Sequence, residues 1–185
     1  MDNGASSYRR FLEGDDDGIV QIIKLYKDGL MLYLNGFVGN IHLAEDLTED
    51  TFVKLITRRP RFFGKSGFKT WLYSIGRNLA MDQMRKNARI PIVSVENIQE
   101  LICDEADIAR NYLKSEQKIQ VHAALKRLHN DYAQVLYLVY FEDFQREQVA
   151  SIMKKSKKQV ENLVYRAKLS LKSELEKEGF VYEDL

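Results

Sequence analysis

Between Lys54 and Arg89 the chain places ten basic side chains and a single carboxylate, Asp82. Arg58, Arg59, Arg61 and Lys65 alternate with Phe62 and Phe63 around the loop RPRFFGKSG (59–67). The following stretch, SGFKTWLYSIGRNLAMDQMRKNAR (66–89), adds Tyr73, Arg77, Asn78 and Arg85. These residue types suit recognition rather than bond making. Cations follow a phosphate backbone while flat side chains stack on or enclose unpaired bases, which is what single-stranded DNA requires. A loop beside such a helix can also pocket one flipped base.

A second cluster lies in QREQVASIMKKSKKQVENLVYRAKLSLK (145–172). Val149, Ile152 and Met153 mark the inner side of a short helix, and a turn follows at Lys154-Lys155. Ser156 with Gln159 fits a capping box. Val160, Leu163, Val164, Ala167 and Leu171 then recur at helical spacing as one buried stripe. Two short helices, a tight turn and the small Ala150 at their crossing make a helix-turn-helix. Lys158, Asn162, Tyr165 and Arg166 project opposite the stripe, with Lys155, Ser156, Lys157 and Gln159 near the amino end. That end of a recognition helix enters the major groove, where Asn or Gln can pair with adenine and lysines meet phosphates. The same fragment also fits a helical hairpin with a basic surface.

Just before the basic loop, LAEDLTEDTFVKLI (43–56) sets Glu45, Asp46, Glu49 and Asp50 on a helix whose core candidates are Leu43, Leu47, Val53 and Leu55. Such carboxylates can simply solvate a helix. Beside a basic DNA face they are better explained as a protein-docking surface that repels DNA.

The elements that position these residues are helical. Leu, Ile, Lys, Glu, Gln and Ala recur at helix periods, and there are only two prolines and ten glycines, so the chain reads as all-α. Helices are expected at about 7–13, 16–38 (with a break near Asp28-Gly29), 41–58 and 66–89, with Ser66 as N-cap of the last. Phe68, Trp71, Leu72, Ile75 and Leu79 form its apolar stripe. That assigns Trp71 to core rather than to base stacking, and Asp82 to an internal arginine pair. Thr70, Tyr73, Arg77, Met81 and Met84 are expected to face away from the core. After Arg89 the period dissolves, and 90–110 reads as a linker. Helices resume at about 111–128, 131–141, 145–153 and 157–177. The expected organisation is two small helical domains, 1–89 and 111–185, joined by that linker.

With 45% hydrophobic and 30% charged residues, a chain of 185 residues can bury a core and stay soluble. Its net charge of +1 conceals segregation: residues 1–50 carry a balance of −6 and residues 51–100 one of +7. Two faces with different partners follow. The single cysteine, Cys103, excludes a disulfide framework and any Cys-based zinc site, and His42, His122 and His129 are too scattered to hold a metal. No apolar run approaches a membrane span of about 20 residues, and Asp2 and Asn3 do not begin a signal peptide, so a cytoplasmic protein without membrane insertion is expected. No phosphate loop, nucleophile–base pair or metal cluster supports an enzyme, and no cofactor is implied.

Together these segments resemble the extracytoplasmic-function group of bacterial RNA polymerase sigma factors, within the sigma-70 family. LAEDLTEDTFVKLI is similar to that family's core-polymerase-binding helix, and FKTWLYSIGRNLAMDQMRK to its helix for the minus-ten promoter element. ALKRLHNDYAQVLYLVYFEDFQREQVASIM with SKKQVENLVYRAKLSLKSEL resembles its minus-thirty-five-binding domain. The resemblance covers about 7–89 and 115–175. It implies a region 2 bundle and a region 4 helix-turn-helix. It also implies promoter recognition and strand opening as the function, through binding energy to the open strand. Asp46, Glu49 and Asp50 then fall on the helix that grips the clamp of the largest polymerase subunit. The loop 59–67 and Asn78 fall where the family captures an unpaired minus-ten base. Lys157, Lys158, Gln159, Asn162 and Arg166 fall where it reads the minus-thirty-five duplex. The implied partners are core RNA polymerase (clamp and second-subunit flap), duplex and single-stranded promoter DNA, and the anti-sigma protein usual in the group. The chain departs from the pattern at Lys154 (commonly glycine), His129 (usually proline), and Glu161 and Leu163 (often basic). The competing reading is a two-lobed helix-turn-helix regulator acting without polymerase, which has no need of the acidic helix.

Overall fold

The computed structural model describes residues 3–89 and 116–177. The 90–110 linker, Cys103, and the first residues expected in the helix from 111 lie outside that range. The described residues form eight α-helices and one π-helical turn: α1 (Asn3–Leu12), α2 (Asp17–Val38), α3 (Ile41–Arg58), α4 (Phe68–Arg89), α5 (Glu116–Arg127), α6 (Asn130–Leu136), the π turn (Tyr137–Phe141), α7 (Arg146–Met153) and α8 (Lys157–Lys177). No helix among them is long and apolar enough to cross a membrane.

The first four helices pack on one another around Phe11, Ile22, Leu34, Leu55, Phe68 and Leu72, all buried. Asn40 caps α3, its side-chain oxygen accepting from the Leu43 amide at 2.8 Å, which satisfies one of the orphan donors of the first turn. Thr48 and Thr51 are fully buried within α3, and their hydroxyls donate back to the Ala44 and Leu47 carbonyls at 2.6 and 2.7 Å, so neither hydroxyl is left without a partner. α3 ends at Arg59, which adopts the left-handed conformation (φ 42°), and the loop to α4 turns again at Gly64 (φ 68°).

Three expectations change. The break at Asp28-Gly29 is absent, and α2 runs unbroken through both residues. Ser66 does not cap α4, which starts at Phe68 with Gly67 supplying the first carbonyl, to Trp71. Val53 is half exposed rather than core, since it points to the side of α3 opposite the buried Thr51 and Leu55.

In the second half, α8 packs against α5, α6 and α7, with Val160, Val164 and Ala167 buried on the expected stripe and Leu163 and Leu171 partly so. His129, standing where proline is usual, caps α6: its Nδ1 accepts from the Asp131 amide at 3.3 Å. Lys154, standing where glycine is common, terminates α7 in the left-handed region at φ 54°. The two halves are in contact: α4 lies against α7, and α2 against α5, α6 and the π turn.

Candidate nucleic-acid and protein interfaces

The loop 59–67 is anchored to α1. The Tyr8 hydroxyl donates to the Pro60 carbonyl at 2.8 Å, and burial pushes that phenol up to about 12 against the pull of nearby Arg59. The Arg59 guanidinium sits 5.0 Å over the Phe11 ring, and that of Arg61 5.0 Å over Phe63. Phe62 turns inward, 5.6 Å from Phe68 and 5.2 Å from Trp71. Trp71 also meets Tyr8 at 5.4 Å, so it is scaffold. Each such aromatic pair contributes about 0.5–1.5 kcal/mol beyond area burial. Phe63 remains 68% exposed, and Arg58, Arg61 and Lys65 are exposed around it. A cleft runs between this loop and α1, lined by Tyr8, Arg9, Leu12, Phe62, Phe63 and Gly64. The α1 residues were not expected there; the Tyr8-Arg9 pair of a ring and a cation on a short amphipathic helix was the available signal.

On α4 the structure divides the expected outer face. Asn78, Met81 and Met84 are half-buried, and Arg85 is exposed. Arg85 pairs with Asp82 at 3.0 Å across one helical turn, both largely in solvent, so the Asp82–arginine pair is external rather than internal. Thr70, Tyr73 and Arg77, expected outside, are buried. For Tyr73 and Arg77 the reason is the second half of the chain. The Arg77 Nε donates to Gln134 Oε1 at 2.9 Å, and the Tyr73 hydroxyl donates to Glu142 Oε2 at 2.7 Å. The Tyr73 ring also lies edge-on to Phe144 at 5.1 Å. Burial and the neighbouring Glu142 carboxylate hold the Tyr73 phenol well above its ordinary range.

On α3, Asp46, Glu49 and Asp50 are exposed and Glu45 is half-buried. Val53 and Ile56, 50% and 40% exposed, continue the same side of the helix. The face is therefore mixed, carboxylates beside two aliphatic side chains. The apolar part went unseen because Val53 fits the core period equally well.

The helix-turn-helix forms as expected. The Ser156 amide donates to Gln159 Oε1 at 2.7 Å and the Gln159 amide to Ser156 Oγ at 3.2 Å, a complete capping box. Lys155, Gln159, Asn162, Leu163 and Arg166 line one shallow groove at the amino-terminal side of α8. Lys158, Tyr165 and Arg166 are exposed. Two expected phosphate ligands already have partners: Lys155 pairs with Asp131 at 2.9 Å and Lys157 with Glu147 at 2.6 Å. The Lys157 ammonium beside Glu147 holds that carboxyl below its ordinary range, and the carboxylate in turn raises the ammonium. Among the described residues no group of three His, Cys, Asp or Glu could hold a metal ion.

The fold and these surfaces define an all-helical protein with a helix-turn-helix, an exposed cation–aromatic loop and a separate acidic helix. Comparison with known proteins gives the family. The family described as Sigma-70 region 2 matches residues 22–90, and Sigma-70 region 4 matches residues 118–171. The RNA polymerase sigma factor YlaC of Bacillus subtilis is 27% identical over 162 residues, 87% of this chain and 94% of that one. The ECF RNA polymerase sigma factor SigW of the same organism is 23% identical over 88% of this chain and 91% of its own length. Among solved structures, the sigma factor RpoE in complex with the anti-sigma factor NepR from Bartonella quintana superposes with a TM-score of 0.66 at 25% identity, covering 84% of this chain and 95% of that one. The chain belongs to the sigma-70 family of RNA polymerase sigma factors, in its extracytoplasmic-function group.

Proposed function

We propose that this sigma factor divides its work among three surfaces. The acidic-aliphatic face of α3 (Glu45, Asp46, Glu49, Asp50, with Val53 and Ile56) docks on core RNA polymerase. The loop with Arg58, Arg59, Arg61, Phe63 and Lys65, together with Asn78 and Arg85, takes the unpaired minus-ten strand, and Phe62 supports that loop from within. The amino end of α8, through Lys158, Gln159, Asn162, Tyr165 and Arg166, reads the minus-thirty-five duplex. The protein acts by binding alone, without chemistry of its own, and works in the cytoplasm. An anti-sigma protein, as in the solved complex of the RpoE relative, is its expected antagonist.

The observation that carries this reading is the adjacency of an exposed acidic helix and an exposed cation–aromatic loop, separated only by the turn at Arg59. A duplex-binding regulator would use α7 and α8 and leave both of those unexplained. The test is run-off transcription by purified core polymerase on genomic promoter fragments, with start-site mapping and permanganate footprinting of unpaired thymines. The wild-type chain is expected to direct discrete starts. Asn78→Ala is expected to lower promoter melting about tenfold or more, the loss of one to a few kcal/mol of base contact, while core capture is retained. No starts with wild-type protein would overturn the functional reading; undiminished melting by Asn78→Ala would remove Asn78 from it.

A further inference from the structure

We propose that Gln134 and Glu142 form a latch that holds the free chain closed, with the second half seated on the α4 face that carries Tyr73 and Arg77. The proposal rests on the assignment of the minus-ten strand to α4 and its preceding loop. Gln134 is 2% exposed, and its single carbonyl oxygen accepts from two helices of the first half, from Tyr33 on α2 at 3.2 Å and Arg77 on α4 at 2.9 Å. Glu142 is delivered by an irregular segment. The π turn ends just before it, Asp143 follows at φ 55°, and the Phe144 amide returns to the Leu138 carbonyl at 2.9 Å. Single π turns concentrate at functional sites. The Glu142 carboxylate accepts from Tyr73, pairs with Lys69 at 2.8 Å, and its backbone carbonyl accepts from the same Lys69 ammonium at 2.9 Å.

The first half is shaped to receive that carboxylate. A Cβ at Gly29 would lie 2.6 Å from Glu142 Oε1 and 2.7 Å from the Tyr73 hydroxyl. A glycine in the middle of a 22-residue helix weakens it, and here it leaves room for a side chain from the other half. The contact is polar at its centre, as reversible contacts between domains tend to be. Around that polar centre lie the rings of Tyr33, Tyr137 and Phe144, while the hydroxyls, carboxylate, guanidinium and ammonium at the centre can be rehydrated on separation. Closed, the molecule covers Tyr73 and Arg77; open, it adds a ring and a cation to the surface of α4 that carries Asn78. A strand that binds only the open form has its apparent affinity lowered by the open fraction.

The experiment compares the full chain with Glu142→Gln and Gly29→Ala. X-ray scattering gives the radius of gyration, and fluorescence anisotropy gives affinity for a labelled mixed-sequence single-stranded DNA of about 12 nucleotides. A third sample is wild type treated with carbodiimide, which joins the Lys69 amine to the Glu142 carboxylate, the bond being located by peptide mass spectrometry. Circular dichroism verifies that each sample keeps its helices; Gly29→Ala favours α2 itself and so separates opening from unfolding. Both variants are expected to expand and to bind the strand about tenfold tighter, and the joined protein to bind it more weakly than wild type. Unchanged dimensions in both variants, with helices intact, would overturn the latch. Expansion without tighter strand binding would overturn the masking and the assignment of the strand to α4 together, while the closure itself would stand.

Discussion

Asn162, Arg166 and Gln159 share a groove but have different work available to them. The Gln159 oxygen is committed to the capping box, so only its amide NH2 is free to meet a base edge, and bidentate pairing with adenine passes to Asn162. Arg166 is exposed one turn further along α8, and the role we propose for it is a phosphate contact, which positions rather than specifies. Arg166→Ala should therefore weaken duplex binding at all sequences alike and flatten the plot of log affinity against log salt by about one unit. Anisotropy titrations over a salt series measure this; an unaltered slope would mean that Arg166 meets no phosphate. Periodicity made these α8 residues legible because one face of the helix is covered and the other bare. The same reasoning misplaced Tyr73 and Arg77. It recognised that they lie opposite the Phe68–Leu72 stripe, but a 3.6-residue period cannot say whether the opposite face meets water or the other half of the chain. Asp82 and Val53 show the same limit at single positions, each at a boundary where the period is ambiguous.

At the scale of elements, the acidic helix and the turn of the helix-turn-helix make separable claims. On α3, Asp46 and Asp50 are one helical turn apart and both exposed, so Asp46→Lys/Asp50→Lys replaces two negative charges by two positive ones on one face without touching the buried Leu47 and Leu55. Core polymerase capture in a pull-down should fall steeply and further at low salt, since exposed charges act within a screening length of about 10 Å at 0.1 M salt. Capture equal to wild type would clear this face of the docking role. At the turn, Lys154 sits at φ 54°, a conformation that disfavours a side chain. Lys154→Gly should raise stability by about 0.5–1 kcal/mol, the relief of left-handed strain less the extra backbone entropy of glycine, read as a higher denaturant midpoint. No gain would show that the Lys154 side chain compensates its own strain. The start of α8 was readable because its cap is local chemistry, Ser156 with Gln159. Gly29 was misread as a break because its reason is not local. Nothing in α2 announces that Glu142, more than a hundred residues later, needs the space.

For the whole molecule, the charge segregation between the acidic first quarter and the basic second one is the ground for expecting separate partners, while the contact between the halves left its trace in the tyrosines. Of ten tyrosines, Tyr33, Tyr73 and Tyr137 cluster where α2, α4 and the π turn meet, with ring centroids 5.5 Å apart for Tyr33–Tyr73 and 6.1 Å for Tyr33–Tyr137. Burial raises all three phenols above the ordinary 10.0, and the Glu142 carboxylate raises Tyr73 and Tyr137 further. A raised value means that the folded chain holds these protons more tightly than the unfolded chain does. Their contribution to stability is therefore complete below pH 10 and lost as pH rises through the folded values. Alkaline titration should then show Tyr33, Tyr73 and Tyr137 ionising above pH 10, in one step with the fall of the helical circular dichroism signal and with separation of the halves. Tyrosinate absorbance and circular dichroism recorded on the same samples decide it. If every tyrosine ionised in a single class while the helices persisted, the two halves would not be packed together in solution as they are in this structure.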